Sequence, residues 1–439
     1  MYFNVSTKIT EFMDPNESES RRAFLKDGLI AAITLSGIAP LALYGDTGKS
    51  SPGQDTLKYR LDHKVPTRLF DGKKCWVHPR AGIVPGAGKA GMPRIVMTLN
   101  TLELSGSDVF KGMFGMHSED GGESWTDPQA LPPLAPRTEQ LEGEERPVAA
   151  SDFWPSWHKK SNNLLGTGHT IVYTRDWKVA HPRPRHTAFS VYDPSQNQWS
   201  DWEKLDMGDD EKFQNAGAGC VQRWDEADGN ILLPVYFMPP GSNSQVTVTR
   251  CAFDGKKLRF LEQGNDLSIA DDSRGLHEPS LTRFQGKYYL TIRNDKQGFV
   301  TQSDDGLHYA PIKPWKFDDG TDLGNYNTQQ HWVTHSEGLY LVYTRRGAEN
   351  DHVFRHRAPL FMARVDPEKL VVIRNTERIL VPEKGARLGN FGVTEVSPDE
   401  TWVTVSEWMQ PEGVEKHGSD GSVYVAKIYW NRPNELFGA

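Results

Sequence analysis

The stretch Ser118-Glu-Asp-Gly-Gly-Glu-Ser-Trp125 constrains this chain more than any other, because its pattern S-x-D-x-G-x-x-W specifies a tight turn between two strands. Ser118 and Asp120 offer short side-chain acceptors that cap backbone N–H groups. Gly122 tolerates a positive φ, and Trp125 plugs the gap between strands. A degenerate copy stands at Ser303-Asp-Asp-Gly-Leu-His-Tyr309. Such a turn is structural: it dictates how strands follow one another and says nothing direct about catalysis.

Around these turns one unit recurs: a short apolar strand, a polar turn, then an aromatic or β-branched strand. It appears at Trp157–Leu165, Trp224–Leu232, Arg283–Leu290, Thr334–Leu341 and Ser397–Trp402. Each reads as the hairpin joining the first two strands of a propeller blade. A spacing of roughly 50–65 residues fits four strands per blade. Blades then begin near Cys75, Val148, Phe213, Gly275, Asn325 and Arg387, and Leu57–Leu69 is placed to return and close the ring beside the last blade. The expected fold is all-β, a six-bladed β-propeller, with seven blades as the alternative if an insertion hides one. The 40 Gly, 28 Pro and 10% aromatic content of the 439 residues suit a turn-rich β domain of this size.

A net charge of −8 argues against a general nucleic-acid binder. The three cysteines, Cys75, Cys220 and Cys251, lack C-x-x-C spacing and read as buried small hydrophobes. Ser20-Arg-Arg-Ala-Phe-Leu-Lys26 followed by the apolar run Gly28–Leu43 resembles a twin-arginine export signal. The run is ~16 residues, short for a membrane span and right for a signal core. That resemblance implies a periplasmic or extracellular protein with no membrane span beyond the signal. The expected division is a signal segment over 1–45, a linker over 46–64 and the propeller over 65–439. A monomer is expected.

In a propeller the inner strands all start at one face, and the loops between second and third strands reach the same face. Charged residues at those two places converge on the axis. The first set comprises His78, Arg80, Asp152, Asn215, His277, Glu278, Tyr326, Gln330, His331, Arg387, Asn390 and Phe391. The second comprises Asp108, Arg175, Asp176, Arg183, Arg185, His186, Arg293, Asp295, Arg345, Arg346, His352, Arg355 and Glu407.

The turn motif is the Asp box, and with it the chain resembles the sialidase (neuraminidase) superfamily, a glycoside hydrolase group with Asp-box (BNR) repeats. The resemblance implies a carbohydrate substrate with an anionic group held by three arginines. Arg80 stands where the first is expected, although the Arg-Ile/Leu-Pro pattern is absent. Glu278 with Arg293 fifteen residues on resembles the catalytic glutamate and second arginine, and Arg345 or Arg346 suits the third. Guanidinium forks bind a carboxylate bidentately, which gives these residue types their purpose. The matching position for the tyrosine nucleophile holds Phe391, which has no oxygen to attack with, and Tyr326 is the available substitute. Glu278, His186, Asp152 and Tyr326 are therefore the catalytic candidates. Arg80, Arg293, Arg345, Arg346, His78, Arg175, Gln330 and His352 are the substrate-binding ones.

The histidines support a different reading. His78, His186, His277, His331 and His352 on the same face, among arginines, are the equipment of uronate β-elimination or of a His-dependent rhamnosidase. A non-catalytic glycan-binding propeller is the third reading, with Trp154, Trp177, Trp332 and Trp408 able to stack on sugar faces. His169 is read as a mid-strand residue bonded within its blade. His352-Val-Phe-Arg-His356 has i, i+4 spacing, but its β-branched and aromatic neighbours argue against a helical zinc half-site. No metal and no cofactor is expected.

Overall fold

The computed structural model describes residues 57–438 apart from 107 and 182. The expected signal segment and most of the expected linker lie outside the described residues. Six antiparallel sheets make up the fold, each in simple up-and-down order, which is a six-bladed β-propeller; the seven-bladed alternative is excluded. The inner strands are Lys74–Val84, Glu144–His158, the broken pair Ala216–Gly217 and Trp224–Asp225, His277–Phe284, His331–His335 and Gly392–Ser397. All five recurring hairpins join a first strand to a second, as the alternation of apolar run and polar turn requires. Blade 2 carries an additional strand, Arg137–Leu141, folded onto the start of its inner strand.

The ring is closed by the first strand of the described residues. Tyr59–Arg68 pairs antiparallel with Ser422–Trp430 as the outer strand of blade 6. It starts inside the stretch 46–64 read as linker. Closing the ring with one early and three late strands ties the first and last strands of the propeller to a single sheet and covers an otherwise open edge.

The two sequence-flagged turns lie between third and fourth strands, in blades 1 and 4. Ser118 Oγ accepts from Gly122 N at 2.8 Å, Asp120 Oδ1 accepts from Ser124 N at 2.9 Å, and Trp125 Nε1 donates to Gly122 O at 3.3 Å. Ser303 and Asp305 repeat the first two roles toward Gly306, Leu307 and His308. The turns also glue blades together. Gly122 has φ +81°, and a Cβ there would stand 2.6 Å from Trp402 of blade 6. Gly306, at φ +78°, meets Leu232 of blade 3 in the same way, at 2.4 Å. Glycine is demanded twice at each position, by backbone conformation and by the neighbouring blade. Large apolar side chains fill the remaining inter-blade space, with Trp202, Trp315, Trp332 and Trp402 fully buried.

Candidate functional site

One backbone device recurs around the axis. His78, Asp152, Cys220, Glu278, Asn327 and Asn390, one from each blade, all have positive φ, between 44° and 61°, at or just before the inner strand. In blades 1, 2 and 4 the strand register skips across this residue, between Val77 and Arg80, Ser151 and Trp154, and His277 and Ser280. A bulge re-aims a side chain that simple alternation would point elsewhere, and a non-glycine residue in this region costs about 1–3 kcal/mol. Six such residues on one ring mark where the fold has spent stability on placing side chains.

The ring is linked by hydrogen bonds and ion pairs. Asn390 Nδ2 lies 2.6 Å from His78 Nε2, which is 3.3 Å from Asp152 Oδ1. Cys220 Sγ donates to the same Asp152 oxygen at 2.7 Å. Arg80, with no solvent exposure, donates to Asp152 at 3.4 Å and to Cys220 Sγ at 3.1 Å. On the far side, Arg293 Nη1 donates to Glu278 and Nη2 to Asn327 Oδ1, the latter at 2.8 Å. Thus His78, Arg80, Asp152, Glu278 and Arg293, all singled out from sequence, are brought to one end of the inner strands.

Two residues join them that the sequence did not flag for this role. His169 Nε2 lies 3.4 Å from Asp152 Oδ2, and its Nδ1 is 2.6 Å from the Tyr236 hydroxyl of blade 3. His169 is paired opposite Ser151, so the bulge at Asp152 turns that carboxylate toward it. Its hydrogen bond to Tyr236 crosses to the next blade, while its contact with Asp152 lies within its own. Arg357, 4% exposed, donates to the Asn327 carbonyl, which puts it beside Arg293.

The electrostatics divide proton carriers from anion binders. Burial would raise the Asp152 carboxyl, but His78, Arg80, His169 and the Cys220 hydrogen bond more than offset it and hold it below the usual carboxylate range. Burial lowers His169 to about 3, with Asp152 opposing only in part, and lowers His78 in the same sense. Both imidazoles are neutral near pH 7, able to accept a proton. Burial raises the Tyr236 phenol, which therefore keeps its proton. Burial and the charges of Arg293, Arg387 and Arg355 all push Arg357 down, and burial with Arg355 pushes Arg387 down to about 10. Arginine keeps its proton at any ordinary pH, so these shifts express repulsion that an anion would relieve.

The other sequence candidates lie elsewhere. Arg345 is held by Glu377 in a two-pronged pair at 2.8 and 2.7 Å and packs over Phe361, away from the ring. Arg346 is exposed and lies over the Tyr326 ring at 4.5 Å. The Tyr326 hydroxyl is 2.6 Å from His356 Nδ1. Gln330 is buried and spent on Thr291 and the Thr328 carbonyl. His352 pairs with Glu383 at 3.0 Å on an exposed loop, and Arg175 is exposed. His186 is half-buried, and the charges nearest it are Lys204 and Glu139, which pair with each other. Among the described residues no group of three or more His, Cys, Asp or Glu is arranged to hold a metal.

Below the ring the axis is plugged. Arg80 lies over Trp154 at 5.5 Å, Trp154 meets His331 at 4.8 Å, and His331 meets Phe391 at 4.8 Å. Beyond this plug, toward the opposite end of the inner strands, lies a cavity of about 870 Å³ whose lining includes Trp157, Trp224, Trp332 and Glu395. The converging acids, bases and arginines are at the upper end, and chemistry follows them.

No family model and no curated protein sequence matches the chain. Solved structures do match in fold. A protein of unknown function from Dyadobacter fermentans superposes with TM-score 0.53 at 12% identity, over 86% of this chain and all of that one. The NanB sialidase of Streptococcus pneumoniae gives TM-score 0.55 at 10% identity, over 83% of this chain and 70% of that one. Trypanosoma rangeli sialidase gives 0.52 at 13%, over 83% of this chain and 57% of that one. At these identities the likeness is one of fold: a sialidase-like propeller.

Proposed function

We propose that the protein cleaves an anionic glycan, seating a carboxylate of the substrate on Arg357 and Arg293, and that it does so without a tyrosyl-enzyme intermediate. One observation carries the reading: Arg357 is a buried guanidinium with no carboxylate partner among the described residues, beside a ring of acid and base side chains. A desolvated cation without a counter-ion is destabilising unless a ligand supplies one. The fold likeness favours glycoside hydrolysis as the reaction. Phe391, fully buried, offers no nucleophile, so water attacks directly, with Asp152 or Glu278 as the carboxylate that orients it.

A second reading, β-elimination from a uronate, is favoured by the neutral His169 in contact with the protonated Tyr236 phenol. A neutral imidazole suits removal of the proton next to a carboxylate that arginines have neutralised. The twin-arginine-like segment supports export, and cell fractionation with a Arg21→Lys, Arg22→Lys variant tests it by whether the protein stays inside.

The deciding experiment incubates purified protein with sialylated, uronic-acid and rhamnose-containing glycans. A lyase releases an unsaturated uronate that absorbs in the near ultraviolet; a hydrolase releases a new reducing end without it. Arg357→Gln and Arg293→Lys should each lower kcat/KM by about tenfold or more, since a bidentate fork is lost. Unchanged kcat/KM in both variants, or tight binding with no product from any glycan, would rule the reading out.

A further inference from the structure

The guanidiniums around the upper end of the axis fall into two sets. Arg80, Arg183, Arg274 and Arg293 each have a carboxylate within ion-pair distance: Asp152 at 3.4 Å, Asp108 at 3.0 Å, Asp295 at 2.6 Å, and Glu278. Arg185, Arg355, Arg357 and Arg387 have none among the described residues. Arg185 is compensated in part by the Tyr236 ring, 4.5 Å below it. Arg387 is 7% exposed and donates only to neutral acceptors, the Gln410 carbonyl at 3.0 Å and its side-chain oxygen at 3.1 Å. Arg355 and Arg387 both approach the ring of Phe354, each with its guanidinium carbon 5.0 Å from the centroid. Phe354 itself is 44% exposed, one of the few large apolar side chains in contact with solvent.

One carboxylate engages one or two guanidinium forks. Arg357 with Arg293 accommodates the first, which leaves Arg355 and Arg387 beside the same exposed aromatic ring with no carboxylate paired to either among the described residues. The acids whose charge reaches them, Asp295 and Asp108, are already matched by Arg274 and Arg183. We infer that the substrate carries two anionic groups, the second seated between Arg355 and Arg387 with the sugar face against Phe354. This rests on the anionic-glycan reading and sharpens it to a polyanionic glycan, its second group a carboxylate or a sulfate ester. Because Arg355 and Arg357 are separated by one residue, both anions belong on one ligand and not on two independent ones.

Calorimetric titration at constant ionic strength tests this with three disaccharides: an aldobiouronic acid with one carboxylate, digalacturonic acid with two, and a sulfated uronate disaccharide. Wild type should bind the two-charge ligands about 30-fold more tightly than the one-charge ligand, the size expected for a charge-assisted pair. The stronger of the two identifies the second group. Arg387→Gln should shrink that gap to about threefold or less while leaving the aldobiouronic acid affinity nearly unchanged, whereas Arg357→Gln should weaken all three. Thermal melting checks that the variants fold; if Arg387→Gln does not, Arg355→Gln on the exposed side of the pair carries the same test. Equal wild-type affinity for one and two charges overturns the second subsite and leaves the anionic reading standing. No binding of any acidic disaccharide overturns both.

Discussion

The ring of Phe391 lies edge-on against the imidazole of His331, with centroids 4.8 Å apart and planes at 77°. A buried hydrocarbon therefore occupies the place where the sialidase resemblance calls for a reactive phenol. Fluorinated sialic acid reagents that trap a glycosyl-tyrosine should leave this protein at its unmodified mass. An adduct mapped by peptide mass spectrometry to Tyr326 would move the nucleophile to blade 5 and break the direct-water mechanism.

Asp152 is the hub between Arg80, His78, His169 and Cys220, and among the described residues it is the one carboxylate within ion-pair distance of Arg80. Asp152→Asn keeps the shape and removes the charge, leaving a fully buried guanidinium uncompensated. A loss of about 3–5 kcal/mol in urea unfolding is expected, with activity lost in the fraction that remains folded. Because the folded Asp152 pKa is depressed, its stabilisation is complete above the unfolded value of about 4 and fades as pH falls below that. A variant as stable as wild type at pH 7 would show that the charge cluster contributes nothing to the fold.

His169 gives a signature of the same sign at higher pH. It is 5% exposed and neutral in the folded protein down to about pH 3, whereas in the unfolded chain it takes a proton near pH 6.5. The unfolded state therefore binds more protons throughout that window, and stability falls as pH drops through it, by about 1.4 kcal/mol per unit for this group. His78, His277 and His331 are lowered in the same direction and steepen the decline. Urea midpoints measured from pH 7 to pH 4.5 should show this slope. His169→Gln should flatten it, and an identical slope in that variant would assign the proton uptake to other groups.

Most of the fold is local enough to be legible in the chain. The Ser118 and Ser303 turns, the hairpin at Arg283–Leu290 and the closing strand near Tyr59 each announce themselves within a dozen residues. The site is less so, because bulges decide it. Alternation along Glu144–His158 does not reveal that the chain turns at Asp152, so His169, paired with Ser151 next door, reads as an ordinary strand residue. The loop after Tyr343 carries Arg345, Arg346, Arg355 and Arg357. What removes Arg345 from the axis is Glu377, 32 positions away in sequence. What brings Arg357 in is the carbonyl of Asn327, 30 positions away in sequence. Neither partnership has a sequence signal; only the basic richness of the loop did.

Gly122 tests the claim that the turn of blade 1 is also an inter-blade joint. An alanine there must adopt φ +81° and meet Trp402 at 2.6 Å. Strain and overpacking together should cost about 2–4 kcal/mol, seen as a lower urea midpoint with ligand affinity unchanged in the folded protein. Gly121→Ala, whose Cβ meets only Met92 at 4.0 Å, isolates the backbone share and should cost about 1 kcal/mol. Equal losses in the two variants would show that Trp402 does not press on the turn.

Glu395 lines the lower cavity with no side-chain hydrogen-bond partner among the described residues, and burial raises its carboxyl to about 7. Its folded pKa lies above the unfolded value near 4.3, so here the folded state holds the extra proton, and stability falls as pH rises from about 4.3 to 7. This opposes the histidines and should help to flatten the stability profile near neutrality. Glu395→Gln removes the ionisation while keeping the size. It should be neutral within about 0.5 kcal/mol at pH 4.5 and stabilising by about 1–3 kcal/mol at pH 8, where the wild-type carboxylate is charged in apolar surroundings. Paired urea titrations at the two pH values read the difference directly. If the variant is less stable than wild type at pH 8, the carboxylate has a counter-ion there and the lower cavity is itself a cation site.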